Sequence, residues 1–176
     1  FAKYCLEKKI KVEYWELSNE AYITKSFSSF FKTGYEYAEK MKAYNDAIKK
    51  ADPNAKTVIM FSPGRNKALQ EFDDSIVSYP VKYWDAVSYH KYSAPHNNPK
   101  VDFKLCVKIL NGVLAHDTNE FIDSYIIPKN RPGIPVLVTE FNAGLNGNPV
   151  DETMYNGIYV AEYMLRLSTH PNVRHA

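Results

Sequence analysis

Two glutamates stand near the ends of strand-like runs, and each has an asparagine close by. Glu20 follows Asn19 just after the run at residues 12–17 (VEYWEL), while Glu140 closes VLVTE and is followed by Asn142. A pair of carboxyl groups is what cleavage of a glycosidic bond requires, because one must protonate the departing oxygen while the other stays ionised. The two glutamates therefore point to glycosidic cleavage.

Each glutamate also has a purely structural explanation. Glu20 could cap a following helix, and Glu140 could pair with a nearby lysine or arginine. A carboxylate at the end of a buried strand is costly unless it is paired or open to a cleft. The apolar run that leads directly into Glu140 therefore favours a cleft at that position.

Strand-like and helical patterns alternate along the chain. The strand-like runs are residues 12–17, 57–61, 85–90 and 136–141, and the helical patterns cover residues 31–51, 101–127 and 154–167. TVIMF and VLVT are continuous apolar or β-branched runs, which are typical of parallel strands buried on both faces. Asp151 is the predicted N-cap of the last helix, Pro128 the predicted end of the one before it, and HPNVRHA the predicted start of another strand.

This alternation predicts an α/β fold of βα units around a parallel sheet. A doubly wound sheet and a (β/α)8 TIM barrel both satisfy it. No glycine-rich phosphate loop follows a strand, and we interpret SPGRN as a plain turn, so the barrel is favoured. A barrel normally needs about 250 residues. We therefore expect residues 1–176 to form the central part of a single barrel from a longer chain.

Three motifs carry a resemblance to a known group of enzymes. WELSNE, SYHKY and VLVTEFN resemble the ends of strands four, six and seven in the retaining (β/α)8 glycoside hydrolases of clan A. They are most similar to the family 51 α-L-arabinofuranosidases, and the helical stretch NGIYVAEYMLRLSTHPNV resembles the seventh helix there. Ser18 stands where glycine is usual in that family, and Phe141 where tryptophan is usual. The resemblance implies that the chain covers about strands four to seven.

The resemblance also implies a role for each glutamate. Glu20 matches the acid/base and Glu140 the nucleophile of a double-displacement mechanism. Asn19 would hydrogen-bond the 2-hydroxyl of the sugar. Because the C-terminal ends of barrel strands meet on one face, the two glutamates are expected to lie close together.

Further candidate substrate contacts lie near these motifs. His90 and Tyr92 match the H-x-Y motif, in which Tyr92 would hydrogen-bond Glu140 and His90 would line the pocket. Trp15 and Asn142 complete the predicted substrate-binding set, although barrel packing explains Trp15 equally well. His96, in the loop SAPHNNP, could border the cleft.

Other classes of function find little support. The formal net charge is +2 with no block of like charges, so no nucleic-acid or membrane partner is expected. No run of 18 apolar residues exists to span a membrane, and no G-x-S-x-G elbow appears. His116, Asp117 and Glu120 have the helical spacing of metal ligands but no second cluster, so no metal or cofactor is expected. Cys5 and Cys106 are predicted to be buried free thiols.

The sequence thus predicts a retaining glycoside hydrolase that acts on a plant- or algal-type oligo- or polysaccharide. Its expected partners are that carbohydrate and the remaining segments of the same barrel. Two alternatives stay open: a carbohydrate-binding or inactive barrel fragment, and a barrel such as a lyase that uses the same glutamates differently. The compartment is open, with an extracellular or periplasmic location favoured over the cytoplasm.

Overall fold

A computed structural model describes residues 1–23, 29–93, 103–112, 119–144 and 150–176. The chain divides into two compact units, Phe1–Tyr89 and His90–Ala176. Every strand pair whose register is described is parallel, and helices alternate with strands in both units. The predicted α/β class with parallel strands is confirmed.

The first unit contains a parallel three-stranded arrangement. Its elements are α1 (Ala2–Glu7), β1 (Trp15–Glu16), α2 (Gly34–Ala51), β2 (Thr57–Met60), α3 (Lys67–Val77) and the first part of β3 (Ala86–Tyr92). β1 pairs with β2, and β2 pairs with β3 from Val58 opposite Ala86 to Met60 opposite Ser88. All four residues of β2 are buried, as the continuous apolar run predicts.

Capping hydrogen bonds and a close contact with α3 stabilise the first turn of helix α2. The Thr33 hydroxyl accepts the backbone N–H of Glu36 at 3.2 Å, and the Glu36 carboxylate accepts the N–H of Lys32 at 2.6 Å, which together resemble a capping box. Gly34 lies against α3, where an added Cβ would stand 2.0 Å from the carbonyl oxygen of Phe72. Glycine is therefore required for this close approach of the two helices.

Helix α3 is not among the helical patterns predicted from the sequence. Two features of its residues are typical of a helix. The Asn66 side chain caps the first turn by accepting the N–H of Leu69, and the apolar Phe72 and Ile76, one turn apart, are both buried. The buried Asp73 accepts hydrogen bonds from the backbone and hydroxyl of Ser62 at 2.8 and 2.6 Å. These bonds join α3 to the segment that leaves β2.

The second unit contains the end of β3 and a further parallel strand pair. Its other elements are α4 (Phe103–Gly112), α5 (Asn119–Phe121), a π-helical turn (Ile122–Ile126), α6 (Ile127–Lys129), β4 (Val136–Asn142), α7 (Met154–Thr169) and β5 (Val173–His175). β4 pairs with β5 through Val136 opposite Val173. Strand β5 confirms that a strand starts in HPNVRHA, so the described residues hold five strands rather than the four counted from the resemblance.

Two predicted helix boundaries are wrong. Pro128 lies inside α6, which continues directly from the π-helical turn and ends at Lys129, so Pro128 does not end the helix. The N-cap of α7 is Thr153, whose extended backbone lets its hydroxyl accept the N–H of Asn156. Asp151, the predicted cap, instead accepts a hydrogen bond from Asn142 at 3.3 Å.

Cys5 and Cys106 are both buried and free, as predicted. Within the described ranges, no helix combines the length and apolar character needed to cross a bilayer.

Candidate active site

The turn after β1, which carries Asn19, holds its neighbours Ser18 and Glu20 in an unusual backbone conformation. Ser18 has φ +102° and Glu20 has φ +47°, values that side-chain-bearing residues rarely adopt. Strain of this kind costs on the order of 1–3 kcal/mol per residue and persists only where the surroundings impose it. Asn19 is exposed and Glu20 is half-buried, so the strained turn presents both side chains toward solvent.

Buried contacts from two neighbouring elements impose this turn. The hydroxyl of Tyr37 in α2 donates to the carbonyl oxygen of Leu17 at 2.8 Å and accepts the N–H of Met60 at 3.2 Å. The N–H of Glu20 points to the Met60 sulfur at 2.8 Å. Burial raises the pKa of Tyr37 well above its usual range, so its hydroxyl remains a donor.

The Glu20 side chain has a partner within the same turn. The Tyr22 hydroxyl donates to Glu20 Oε1 at 2.8 Å. Tyr22 was not among the predicted site residues, although its position two residues after Glu20 could have suggested it.

Trp15 has contacts that fit the packing explanation. Its ring meets the ring of Phe1 edge-on, with centroids 5.9 Å apart. It also lines an apolar groove of about 450 Å³, together with residues that include Leu17, Met41 and Ile48. A substrate contact by Trp15 remains a prediction.

In the second unit, the end of β3 presents two side chains to Glu140. The Tyr92 hydroxyl donates to Glu140 Oε2 at 2.7 Å, and His90 Nδ1 lies 3.4 Å from the same oxygen. His90 and Tyr92 are two residues apart on a strand, so their side chains share one face. The His90 side chain is 1% exposed, whereas that of Glu140 is 44% exposed. A solvent-accessible carboxylate is thus held on one oxygen by the buried His90 and the half-buried Tyr92.

Asn142 forms hydrogen bonds in the turn that follows β4. Its amide nitrogen donates to Asp151 at 3.3 Å, and its amide oxygen accepts the N–H of Ala143 at 3.0 Å. Asn156 in α7 also accepts the N–H of Ala143, at 3.2 Å. These bonds fix the turn immediately after Glu140, and a substrate contact by Asn142 remains a prediction.

Several residues from the sequence interpretation lie outside the described residues, namely His96, His116 and Asp117. Glu120 lies in the short helix α5. SPGRN contains the polar turn in which the Ser62 hydroxyl accepts the N–H of Gly64 at 3.1 Å.

Comparison with known proteins connects this fold to one group of enzymes. No protein-family model matches the chain, and no curated protein matches it in sequence. Solved structures do match in fold, among them the following two. An arabinofuranosidase crystal structure superposes with TM-score 0.63 at 18% identity, covering 97% of this chain and 36% of its own. The GH51 α-L-arabinofuranosidase of Thermotoga petrophila RKU-1 gives TM-score 0.50 at 21% identity, with the same coverage of 97% and 36%.

The chain therefore resembles the GH51 α-L-arabinofuranosidases in fold, which confirms the resemblance drawn from the three motifs. It spans about a third of the length of the structures it matches. At this level of identity the match establishes a glycosidase-like fold.

Proposed function

We propose that this chain is the part of a retaining glycoside hydrolase that carries both catalytic glutamates, Glu140 as nucleophile and Glu20 as acid/base. The geometry around Glu140 supports this most strongly. Tyr92 and His90 both contact Oε2, so Oε1 is the oxygen available for attack. A nucleophile must be oriented and reachable, and the Glu140 carboxyl group, held through Oε2 and 44% exposed, meets both needs.

The reaction proceeds in two displacements. In the first, Glu140 attacks the anomeric carbon while the bond to the departing oxygen breaks and Glu20 donates a proton to that oxygen. In the second, Glu20 takes a proton from water, the water oxygen attacks the same carbon, and the bond to Glu140 breaks. Asn19, exposed beside Glu20, hydrogen-bonds the sugar 2-hydroxyl. This mechanism requires the two carboxyl groups to be about 5–5.5 Å apart.

We further propose that residues 1–176 form the centre of one (β/α)8 barrel, from about strand four through strand seven and into the next strand. The apolar groove beside β1 supports this proposal, because Phe30 and Tyr44 line it while remaining 63% and 62% exposed. Such a surface fits coverage by another βα layer of the same polypeptide. The remaining segments of the barrel are therefore the proposed partner of this face.

The proposed substrate is a plant- or algal-type oligo- or polysaccharide. The matched solved structures are arabinofuranosidases, which makes arabinofuranosides the first substrates to try. The short span of the chain relative to those structures favours one alternative, in which the isolated chain binds carbohydrate without turning it over. Activity in the full-length protein together with inactivity of residues 1–176 alone would support that alternative.

The test begins with the full-length protein and a panel of aryl glycosides. Glu140→Ala is expected to abolish turnover, and azide is expected to restore it by filling the vacated space. The azide product should have inverted anomeric configuration, because one displacement then replaces two. With Glu20→Ala, azide should instead attack the glycosyl-enzyme and give a product of retained configuration.

Glu39→Ala serves as the matched control. Glu39 is an exposed residue of α2, so this variant should keep full activity. A folded Glu140→Ala variant that gives no glycosyl azide would contradict the role of Glu140. Wild-type protein that hydrolyses no glycoside would contradict the proposed function as a whole.

A further inference from the structure

Tyr22 and Glu20 are locked together in one tight turn. The N–H of Ile23 donates to the carbonyl oxygen of Glu20 at 2.8 Å, which closes a four-residue turn with Ala21 and Tyr22 at its centre. Ala21 is fully buried and anchors the turn. The geometry of the hydrogen bond from Tyr22 to Glu20 is therefore set by the backbone.

The hydrogen bond falls on one particular oxygen of the carboxyl group. The Tyr22 hydroxyl donates to Oε1 at 2.8 Å. A phenol can donate to Oε1 of the ionised carboxylate, and also to Oε1 of the carboxylic acid when the acid proton sits on Oε2. The contact is therefore compatible with both the ionised and the protonated form of the carboxyl group.

We propose that Tyr22 is a positioning residue for Glu20, holding its carboxyl group through Oε1 in the orientation in which it gives a proton to the departing oxygen and later takes one from water. This inference rests on the proposed function, since it concerns the acid/base of the same site. The strained φ of Glu20 and the contact of its N–H with the Met60 sulfur hold the main chain. The hydrogen bond from Tyr22 then restrains rotation of the carboxyl group.

The experiment compares Tyr22→Phe with wild type in the full-length protein, on two glycosides of the sugar that the panel identifies. One has a dinitrophenyl leaving group, which departs without a proton, and the other has an alkyl leaving group, which requires one. General acid catalysis contributes about 10²–10⁴-fold to such reactions. We expect Tyr22→Phe to lower kcat/KM about tenfold on the alkyl glycoside and less than about twofold on the dinitrophenyl glycoside.

Tyr4→Phe is the matched control, because Tyr4 is 51% exposed and lies in α1, away from the apolar groove. It should behave as wild type on both substrates. If phenylalanine at position 22 prevents folding, Tyr22→Leu removes the same donor and gives the same comparison. A loss that depends on the leaving group separates positioning of the acid from general destabilisation, which would affect both substrates alike.

Two results would overturn the proposal. A folded Tyr22→Phe variant with unchanged activity, or with equal losses on both substrates, would refute the role of Tyr22 while leaving the glycosidase function intact. Wild-type protein inactive on every glycoside would overturn the proposed function and the role of Tyr22 with it.

Discussion

Ser18→Gly is expected to stabilise the protein, because Ser18 adopts φ +102°. A residue with a side chain in such a region is strained by on the order of 1–3 kcal/mol. Glycine removes that strain but adds flexibility to the unfolded chain, at a cost of roughly 0.5–1 kcal/mol. The net expectation is a gain of about 1 kcal/mol. The same conformation gives a physical reason for the glycine that is usual at this position in the motif that WELSNE resembles.

Thermal unfolding followed by circular dichroism measures this gain. For a domain of this size, about 1 kcal/mol raises Tm by roughly 2–4 °C. Ser18→Ala is the matched control, because alanine keeps the Cβ atom and therefore the strain, and its Tm should stay close to that of wild type. A lower Tm for Ser18→Gly, or an equal rise for Ser18→Ala, would refute the attribution to backbone strain.

Three further predictions concern the elements that support the site. Gly34→Ala should destabilise the protein by about 3 kcal/mol or more, because the new Cβ would lie 2.0 Å from a carbonyl oxygen of α3; an unchanged urea midpoint would contradict this. Burial raises the pKa of Tyr37, so the unfolded chain releases this proton more easily, and stability present below about pH 10 should fall as the pH rises further. Tyr37→Phe should weaken that fall in alkaline urea titrations while costing about 1–3 kcal/mol at neutral pH, and an unaltered alkaline slope would count against burial of the phenol. Thr153→Ala should cost about 1 kcal/mol through loss of the helix cap, and a larger loss for Asp151→Ala in the same melts would show that the cap is wrongly assigned.

The strands were predictable because burial on both faces leaves a clear mark in the sequence. TVIMF and VLVT are apolar or β-branched throughout, and the corresponding residues Val58 and Val136 are fully buried in parallel pairs. Helix boundaries were harder to predict. Asp151 and Thr153 are both good capping residues, and only the extended backbone of Thr153 decides between them.

In the candidate site, too, some contacts could be predicted from the sequence and others could not. The hydrogen bond from Tyr92 to Glu140 was predicted, because the resemblance of SYHKY to the H-x-Y motif implies it. The contacts of Tyr37 and Met60 with the turn at Glu20 were not predicted. They join residues far apart in sequence through ordinary core side chains, and nothing in residue type distinguishes these from other buried residues.

Trapping of the covalent intermediate is the most direct test of Glu140 as the nucleophile. The full-length protein would be incubated with an activated 2-deoxy-2-fluoro glycoside of the sugar found in the panel, digested, and mapped by mass spectrometry. We expect the added sugar mass to lie on the peptide containing VLVTEFN, at Glu140. A label on a different residue, or active enzyme that forms no covalent adduct and releases product of inverted configuration, would contradict it.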